Sequence, residues 1–416
     1  MSIWTIEGGV PLRGSVSVQG SKNAVLPVLA ATVLAPCVSI LENCPALSDV
    51  DASVAILREL GCIVIREGST VIVDSRPVLA CAIAPSLMET MRSSVLFLGA
   101  LLGRSGEVSA SLPGGCELGA RPVDYHLAAF AALGAEIEQQ GAEIVCRCAS
   151  LQGNTIVFPG KSVGATENAL LCACAAKGET VLRNAAAEPE IVALCGYLRA
   201  LGAIITGDGT DVIRVRGFIP HGSVRYRIPS DRIVACSYLC FAAATRGRIR
   251  LYDCPMGEIQ PVLRSLDALG ASLRPGKDSV EIDAHAGLGG DITVCTEPYP
   301  GFPTDAAPLL LAVCCKSRGQ SFFKETIFSD RLRYVPALMA MGADIELQRS
   351  CALVRGVESL QGCKMTGTDL RGSAALLCAA LSAEGESRLT DALHLERGYE
   401  AIEERLGSLG AKIKKE

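Results

Sequence analysis

The sequence predicts an α/β protein built from six repeats, and two observations carry this prediction. The tripeptide Leu-Gly-Ala, or a close variant, recurs along the chain at spacings of 68 to 73 residues. Its glycines are Gly61, Gly134, Gly202, Gly270, Gly342 and Gly410. Each repeat also contains an almost wholly apolar segment that begins with charged or amide residues. A constant period marks repeated supersecondary units, so the six copies should place these polar residues alike.

One repeat, residues 151–217, shows the order of the elements. Its pattern predicts a strand, an apolar helix, a second strand, an amphipathic helix and a hairpin, at 155–158, 165–176, 180–182, 190–201, and 203–206 with 212–215. Glycines follow both helices, as is typical of helix C-termini. A Gly-Asp-Gly turn between the last two strands indicates the hairpin. Each repeat is therefore predicted to be β-α-β-α-β-β.

The two ends of the chain are expected to complete the same repeat. The sixth copy stops shortly after residues 412–414 and lacks its final strand. Residues 3–7 have the pattern of the strands that close the other repeats. Pairing these segments leaves no orphan edge strand, so we expect both termini in one domain.

The two helices of each repeat differ in polarity. The first, at 23–35 and 94–102 for example, is apolar nearly all round and must be covered on every side. The second keeps a polar face, as at 397–409. Buried inner helices, exposed outer helices and sheets make an α/β protein. The length of 416 residues favours two domains, although the period does not say how they share the repeats.

Composition limits the classes of binding partner and indicates the cellular compartment. The net charge is −5 and no sizeable Lys/Arg cluster occurs, which argues against nucleic acid or an anionic membrane surface. We find no secretory signal, and apolar runs such as 306–315 are shorter than a membrane span of about 18 residues. We therefore expect a cytoplasmic protein without a membrane span.

The chain has 19 cysteines but only four histidines, and no C-x-x-C spacing. This pattern disfavours a metal site or a disulfide scaffold. Buried free thiols behave as small hydrophobic groups and suit a reducing compartment. The cysteines inside predicted apolar helices are Cys172, Cys174, Cys236, Cys240, Cys314, Cys315 and Cys378.

The starts of the apolar helices are candidate anion sites, because free backbone N–H groups and the helix dipole favour negative charge there. Several carry cations, namely Lys22, Arg92, Arg232 and Arg371. Arginine opposes the dipole and is not explained by capping, so it indicates phosphate or carboxylate binding. For the acidic residues at the helix starts, taken singly, ordinary capping is the favoured interpretation; these are Asp231, Thr304 with Asp305, and Asp369.

A second candidate site is the stretch 111–126, whose three glycines and two prolines predict a loop long enough to act as a lid. Cys116 lies in it, five residues before Arg121. An exposed thiol near cations is reactive because its thiolate is stabilised. The loop context alone leaves two interpretations open, a reactive thiol and a spectator surface cysteine.

Eight segments together resemble the enolpyruvyl transferase family. They are residues 20–24, 90–92, 113–124, 162–166, 188–191, 302–305, 368–371 and 396–400. The resemblance extends from about residue 3 to residue 413, and the Gly-Gly-Cys loop is specific to the branch that acts on UDP-N-acetylglucosamine. It implies a two-domain inside-out α/β barrel, with three repeats per domain and the active site in the interdomain cleft. The domains would be 22–230, and 1–21 with 231–416.

The resemblance also implies an activity. The enolpyruvyl group of phosphoenolpyruvate would be transferred to the 3-hydroxyl of UDP-N-acetylglucosamine with release of phosphate, the first committed step of peptidoglycan synthesis. No metal or organic cofactor is implied. Cys116 would be the acid that protonates the methylene carbon, and its thiol could form an adduct, while Asp305 would be the base.

The resemblance assigns the remaining site residues to substrate binding. Several cations would surround the anionic phosphoenolpyruvate: Lys22, Arg121, Arg331, Arg371 and Arg397. The UDP-sugar would be held by Asn23, Arg92, Arg121, Pro122, Val123, Asp124, Tyr125, Lys161, Ser162, Val163, Gly164 and Ile327, with Asp305 and Asp369 also in the substrate site.

Two segments differ from the family pattern. Ala306 and Ala307 follow Asp305 where Met/Leu-Gln is usual, and Ser329-Asp330-Arg331-Leu332 replaces a Glu-Asn-Arg-Phe segment. Asp330 is expected to add negative charge beside the cations.

Two alternative functions remain at this point. One is the related enzyme branch that acts on 3-phosphoshikimate, which has no counterpart of the Cys116 loop. The other is a catalytically silent regulator on the same scaffold. Such a regulator would usually have lost catalytic residues, whereas Lys22, Cys116, Arg121, Asp305 and Arg397 are all present.

Overall fold

The computed structural model describes residues 3–78, 80–111, 123–217 and 222–416, and these form α-helices and mixed β-sheets. They divide into two compact units, each with its own hydrophobic core. The first unit contains the described residues from Gly20 to Pro229. The second contains those up to Gln19 and from Ser230 onward.

The strands of the described residues are short. In chain order they are β1 (Ile3–Glu7), β2 (Arg13–Ser17), β3 (Val38–Glu42), β4 (Ile63–Glu67), β5 (Thr70–Asp74), β6 (Ala82–Ile83), β7 (Glu107–Ser111), β8 (Glu136–Gln140), β9 (Glu143–Arg147), β10 (Thr155–Val157), β11 (Glu179–Arg183), β12 (Ile204–Thr206), β13 (Val212–Arg216), β14 (Ser223–Arg227), β15 (Arg248–Tyr252), β16 (Ser272–Pro275), β17 (Ser279–Asp283), β18 (Thr293–Cys295), β19 (Gln320–Lys324), β20 (Asp344–Gln348), β21 (Cys351–Arg355), β22 (Lys364–Thr366), β23 (Glu386–Thr390) and β24 (Lys412–Lys415).

The helices alternate with these strands. They are α1 (Lys22–Ala31), α2 (Ser48–Glu59), α3 (Pro85–Met88), α4 (Leu96–Ser105), α5 (Asp124–Ala132), α6 (Val163–Ala175), α7 (Pro189–Ala200), α8 (Arg232–Ala244), α9 (Gln260–Ala268), α10 (Ala307–Cys314), α11 (Val335–Ala340), α12 (Leu370–Ser382), α13 (Leu393–Glu396) and α14 (Ile402–Ser408). Two 3₁₀ helices, Arg92–Val95 and Arg331–Tyr334, precede α4 and α11.

The described strands form six four-stranded sheets of one topology. The repeat at 151–217 is an example: β10 is parallel to β11, and β13 pairs antiparallel with both β11 and β12. The predicted elements of this repeat match the observed ones to within two residues. In sequence order, the sheets are β14-β3-β5-β4, β6-β7-β9-β8, β10-β11-β13-β12, β2-β15-β17-β16, β18-β19-β21-β20 and β22-β23-β1-β24.

Two of these sheets have exchanged their first strands. β2 precedes α1 in the chain but pairs in parallel with β15, aligning Arg13 with Arg248. β14 precedes α8 but pairs in parallel with β3, aligning Ser223 with Val38. The chain therefore passes from one unit to the other immediately after β2 and again after β14.

The last sheet contains the N-terminal strand. β1 lies between β23 and β24 and pairs antiparallel with both, so that Trp4 faces Leu389 on one side and Lys415 on the other. The side chains of Trp4 and Ile6 are fully buried beneath this sheet. Burial of the indole ring thus ties the first residues of the chain to the last.

Inner and outer helices differ as their sequences predict. The inner helices are α1, α4 and α6 in the first unit and α8, α10 and α12 in the second, and most residues of each are buried. Within each unit, inner helices pack against one another, and the sheets lie around them. The six repeat glycines follow outer helices and have φ between 89° and 113°, the left-handed region that favours glycine.

Three predicted boundaries are wrong. The helix predicted at 397–409 begins only at Ile402, because Ala401 has a left-handed φ of 44°. The inner helix predicted to reach residue 35 ends at Ala31. The loop predicted at 111–126 overlaps two described elements, since Ser111 ends β7 and α5 begins at Asp124. Across the part of the chain that the structure describes, no helix is long and apolar enough to span a bilayer.

Candidate active site

In the first unit, Lys22 is the first residue of α1 and is almost completely buried. The side chain of Ser21 caps the helix by accepting a hydrogen bond from the Ala24 N–H. The Lys22 ammonium forms an ion pair with Asp49 of α2, with Nζ 2.7 Å from Oδ2. The ion pair orients this cation at the positive end of an inner helix, where an anion is favoured.

Asn23 and Arg92 occupy comparable helix starts. The Asn23 amide donates to Oε1 of Glu190 at the start of α7, at 3.4 Å. Arg92 is partly buried and begins the 3₁₀ helix that leads into α4. Both residues thus lie where the repeat predicts polar groups, at the start of a buried inner segment.

The start of α6 is built from residues 161–164. Ser162 is the N-cap, and its hydroxyl accepts a hydrogen bond from the Ala165 N–H at 3.3 Å. The Lys161 ammonium donates to the carbonyl of Ala185 at 3.2 Å. Val163 and Gly164 form the first turn and are partly exposed. This turn combines free backbone N–H groups with a neighbouring cation, which suits a phosphate group.

The start of α5 lies next to that turn. Val123 precedes the helix and Asp124 is its exposed first residue. The ring of Tyr125 lies beside Gly160, in the loop that leads to α6. The residues described at 123–125 and 161–164, which are predicted to hold a UDP-sugar, therefore come from adjacent segments of this unit.

His126, one residue further along α5, is buried. Its Nδ1 lies 2.7 Å from the Asn168 amide nitrogen. Burial, reinforced by the positive charge of Arg92, lowers the pKa of His126 from 6.5 to about 4. The imidazole is accordingly neutral at physiological pH.

Stability of the first unit should depend on this histidine. Between pH 6.5 and about 4 the unfolded chain binds a proton that the folded state excludes, so stability falls as the pH falls through this window. The shift corresponds to about 3 kcal/mol. We expect the stability difference between wild type and His126→Gln to shrink by that amount from pH 7 to pH 4, measured by chemical denaturation. A stability difference that stayed constant from pH 7 to pH 4 would contradict a buried neutral imidazole.

Three carboxyl groups meet near the starts of α6 and α7. Glu167 is buried, and burial together with the charges of Glu190 and Glu188 raises its pKa well above the usual value. Burial and neighbouring negative charges both favour the protonated form of a carboxyl group.

In the second unit, Asp305 lies between two buried arginines. Its Oδ1 is 2.6 Å from Nη2 of Arg331, and its Oδ2 is 3.2 Å from Nε of Arg371. Both guanidinium groups are almost inaccessible to solvent, whereas a quarter of the Asp305 side chain is exposed. The carboxylate is thus oriented by two cations and still open to a ligand.

The two arginines have further partners. Nη1 of Arg331 lies 3.6 Å from Asp369, and its Nε donates to the Thr304 hydroxyl at 3.2 Å. Arg371 donates to the Tyr399 hydroxyl at 3.3 Å. Burial opposes the charge of Arg371, but Asp305 and Tyr399 outweigh it and raise the pKa of the guanidinium above its usual value. Arg371 stays charged while buried.

Two of the acidic residues for which capping was an alternative are indeed helix caps. Asp231 accepts hydrogen bonds from the backbone N–H groups of Ile233 and Val234. Asp369 accepts from those of Arg371 and Gly372, at 3.0 and 3.2 Å. Asp369 combines this role with its approach to Arg331, whereas the N-cap of α10 is Ala306 and not Asp305.

The segment that carries Ile327 is held by a buried glutamate. Glu325 accepts hydrogen bonds from the N–H groups of Ile327 and Phe328 and from the Thr304 hydroxyl. The Ile327 side chain is 38% exposed, so an apolar surface remains available to a ligand. Phe328 covers the guanidinium of Arg331, with the ring centroid 4.8 Å from Cζ. The same acid thereby connects Thr304, beside Asp305, to this segment.

Arg397 follows α13 and is partly exposed. Gln19, from the end of the segment after β2, holds its neighbours: the Gln19 amide donates to the Gly398 carbonyl and accepts from the Glu400 N–H. The Arg397 backbone is thus fixed between two short helices. Gln19, Asp49, Glu325 and Tyr399 are supporting residues that sequence reasoning missed, because no local pattern connects them with partners so distant in the chain.

The key residues of the predicted lid, Cys116, Arg121 and Pro122, lie outside the described residues. In the first of the two segments that differ from the family pattern, Ala306 and Ala307 are buried at the start of α10. Asp330 is exposed and accepts a hydrogen bond from the Ser329 hydroxyl.

The other cysteines are free thiols, mostly buried among apolar side chains. Burial raises the pKa of several of them, to about 12 for Cys44, Cys62 and Cys254. Among the residues that the structure describes, no group of three or more His, Cys, Asp or Glu side chains has the arrangement of a metal site.

Comparison with known proteins identifies the class. The profile of the EPSP synthase family (3-phosphoshikimate 1-carboxyvinyltransferase) matches residues 6–406. The chain belongs to this family, and the protein is an enolpyruvyl transferase. It is similar to enzymes named UDP-N-acetylglucosamine 1-carboxyvinyltransferase. The one from Oleidesulfovibrio alaskensis is 45% identical over 99% of this chain and 98% of its own. A second, numbered 2, from Caldanaerobacter subterraneus subsp. tengcongensis is 43% identical over 99% of both chains.

Solved structures share the fold. The enolpyruvyl transferase NikO from Streptomyces tendae superposes with a TM-score of 0.90 at 24% identity, covering 100% of this chain and 98% of its own. EPSP synthase from Acinetobacter baumannii gives a TM-score of 0.75 at 18% identity, covering 100% of both chains. The predicted fold class, a two-domain enolpyruvyl transferase α/β fold, is confirmed.

Proposed function

We propose that this protein transfers the enolpyruvyl group of phosphoenolpyruvate to the 3-hydroxyl of UDP-N-acetylglucosamine, releasing phosphate, as a cytoplasmic step of peptidoglycan precursor synthesis. The observation that carries the proposal is the 43–45% identity, over nearly the whole chain, to relatives named for this transfer. The arrangement around Asp305 supports it, since an acceptor hydroxyl and an anionic substrate need a carboxylate next to cations.

The reaction requires an acid and a base. A bond forms between the sugar O3 and C2 of phosphoenolpyruvate while the hydroxyl loses its proton and C3 gains one. The bond between C2 and the phosphate oxygen then breaks and C3 loses a proton, which leaves the enol ether and inorganic phosphate. We assign the acid to Cys116 and the base to Asp305.

Asp305 suits the role of a base that is activated by substrate. In the free protein, its two oxygens are paired with Arg331 and Arg371. Phosphoenolpyruvate would compete for the same guanidinium groups, and its binding would loosen their hold on Asp305. The carboxylate would then be available to the sugar hydroxyl only when phosphoenolpyruvate is bound.

The remaining site residues are assigned to the two substrates chiefly by their charge. Lys22, Arg331, Arg371 and Arg397, with Arg121, would bind the phosphate and carboxylate of phosphoenolpyruvate. Asp369 would keep Arg331 and the start of α12 in place. The UDP-sugar would bind to Asn23, Arg92 and Ile327, to residues 121–125, and to the start of α6 at residues 161–164.

A phosphate-release assay tests the proposed function. Purified protein should release inorganic phosphate from phosphoenolpyruvate when UDP-N-acetylglucosamine is added. It should release none above background with 3-phosphoshikimate. Activity with 3-phosphoshikimate would assign the protein to the other branch of the family, and no release with either acceptor would favour a silent regulator.

Cys116 should be the first thiol to react with an anionic alkylating agent. The described cysteines are mostly buried, and partly exposed ones, such as Cys81 and Cys295, are the natural competitors. Cations near Cys116 would favour its thiolate and attract a small epoxide phosphonate. We expect peptide mapping after brief exposure to show the label on Cys116, faster with UDP-N-acetylglucosamine present, and none there in Cys116→Asp. Label on several cysteines at once would contradict an activated thiol.

A further inference from the structure

Asn168 lies inside α6, has no solvent exposure, and uses every hydrogen-bonding group of its amide. Its Oδ1 accepts a hydrogen bond from the Gly99 N–H of α4 at 3.0 Å. Its Nδ2 donates to the Val95 carbonyl at 3.0 Å and lies 2.7 Å from Nδ1 of His126. Exchanging the amide oxygen and nitrogen would bring the oxygen against a carbonyl, so these partners determine the amide orientation.

The same contact determines the tautomer of His126. An amide nitrogen donates and does not accept, so Nδ1 of the imidazole must be the acceptor. The ring hydrogen is therefore on Nε2. This hydrogen bond holds the ring as one neutral tautomer in one orientation. A hydrogen bond to the second ring nitrogen commonly has this effect in functional histidines.

The far edge of this ring packs on the first turn of α6. A side chain at Gly164 would place its Cβ 3.2 Å from Cε1 of His126, closer than ordinary van der Waals contact. The imidazole thus lies directly on the backbone of Gly164. Gly99 shows the same closeness on the other side, since a Cβ there would lie 2.5 Å from Oδ1 of Asn168.

One buried amide consequently joins three segments. Val95 ends the 3₁₀ helix that begins at Arg92, His126 lies in the first turn of α5, and Gly164 lies in the first turn of α6. All three segments carry residues that we assign to the UDP-sugar. Core packing alone would not require the amide to contact a polar ring that itself packs on the start of α6.

We infer that Asn168 is a positioning residue for the nucleotide-sugar site, acting through His126 to set the backbone at Gly164 and the start of α6. The inference rests on the proposed function and adds a residue that does not itself touch the sugar. Without Asn168 the ring would be free to rotate, and the N–H groups at the start of α6 would lose their fixed direction.

Nuclear magnetic resonance tests the first step without any measurement of activity. The chain has only four histidines, so ¹⁵N-histidine labelling gives few signals. Long-range ¹H–¹⁵N correlation at pH 7 should show His126 as the Nε2–H tautomer. The His126 signals are assigned as those that disappear in His126→Phe. An Nδ1–H tautomer or a protonated ring would overturn the inference. This readout stands even if the protein fails to turn over UDP-N-acetylglucosamine, which would instead refute the proposed function.

Steady-state kinetics test the second step. Asn168→Asp keeps the side-chain shape but cannot donate to Val95 or His126, and it favours a proton on Nδ1. We expect the KM for UDP-N-acetylglucosamine to rise about tenfold or more, with the KM for phosphoenolpyruvate within about twofold of wild type. Gly164→Ala, which keeps Asn168 but presses on the ring, should change the same constant in the same direction.

Cys172→Ala is the matched control, because Cys172 also joins α6 to α4 through the Gly99 carbonyl but does not contact His126. It should lower thermal stability and leave both KM values unchanged. In a His126→Phe background, Asn168→Asp should add less than about twofold to the KM for the sugar. An unchanged KM in folded Asn168→Asp, or an equal rise in Cys172→Ala, would show that Asn168 only packs the core.

Discussion

Replacing Asp305 with asparagine should lower turnover about 10²–10⁴-fold, if this residue is the general base. Asparagine has nearly the same shape and still accepts a hydrogen bond from Arg331 or Arg371, but it cannot take a proton from the sugar hydroxyl. The KM for UDP-N-acetylglucosamine should change much less than kcat. Phosphate release at saturating concentrations of both substrates measures the effect.

The loss of a negative charge next to two buried arginines must be separated from the loss of a base. Asp369→Asn is suited to this, because it removes the other carboxylate near Arg331 and asparagine still caps α12. We expect turnover of Asp369→Asn to stay within about tenfold of wild type. If Asp305→Asn instead kept its turnover and raised the KM for the sugar, Asp305 would be a binding residue.

Replacing Arg331 with methionine should cause the largest loss of stability. The guanidinium is 2% exposed and lies near Asp305 and Asp369, with the Phe328 ring over it. Removing one partner of a buried ion pair costs about 3–5 kcal/mol, because the remaining charge is left without compensation. For a unit of this size the melting temperature should fall by about 10 °C, measured by calorimetry.

An arginine of the same unit provides the control. Arg355 on β21 also forms two ion pairs, with Asp344 and Glu346, but its side chain is 44% exposed. Exposed pairs contribute at most about 1 kcal/mol, so Arg355→Met should lower the melting temperature by no more than about 4 °C. Equal shifts for the two variants would mean that the buried pairs around Arg331 carry no special stability.

Much of the fold could be predicted because its signals are local. The glycine after each outer helix, the wholly apolar inner helices and the hairpin turns recur at a nearly constant period, and the structure confirms six sheets of one topology. The broken helix near Arg397 could not be predicted, because residues 397–409 have a continuous amphipathic pattern. Only the left-handed backbone at Ala401 divides it.

The exchange of strands β2 and β14 could not be predicted from the repeat period, for a different reason. β2 and β14 have similar patterns and similar positions before an inner helix, so either could pair with the strand that follows that helix. Pairing of β2 with β15 and of β14 with β3 is a choice between two equivalent partners. Only long-range hydrogen bonding in the folded chain makes that choice.

The sequence by itself determined the repeat, the family resemblance and the types of residue at the helix starts, because these depend on neighbours along the chain. The tertiary structure alone decided which polar groups meet: Asp305 with Arg331 and Arg371, Lys22 with Asp49, and Asn168 with His126. Those partners are separated by 26 to 66 residues, and their interaction depends on distances of a few ångströms. Burial then determines how much each contact contributes to stability. A charge or a ring nitrogen that is removed from water is stabilised only by the partner that the fold places next to it.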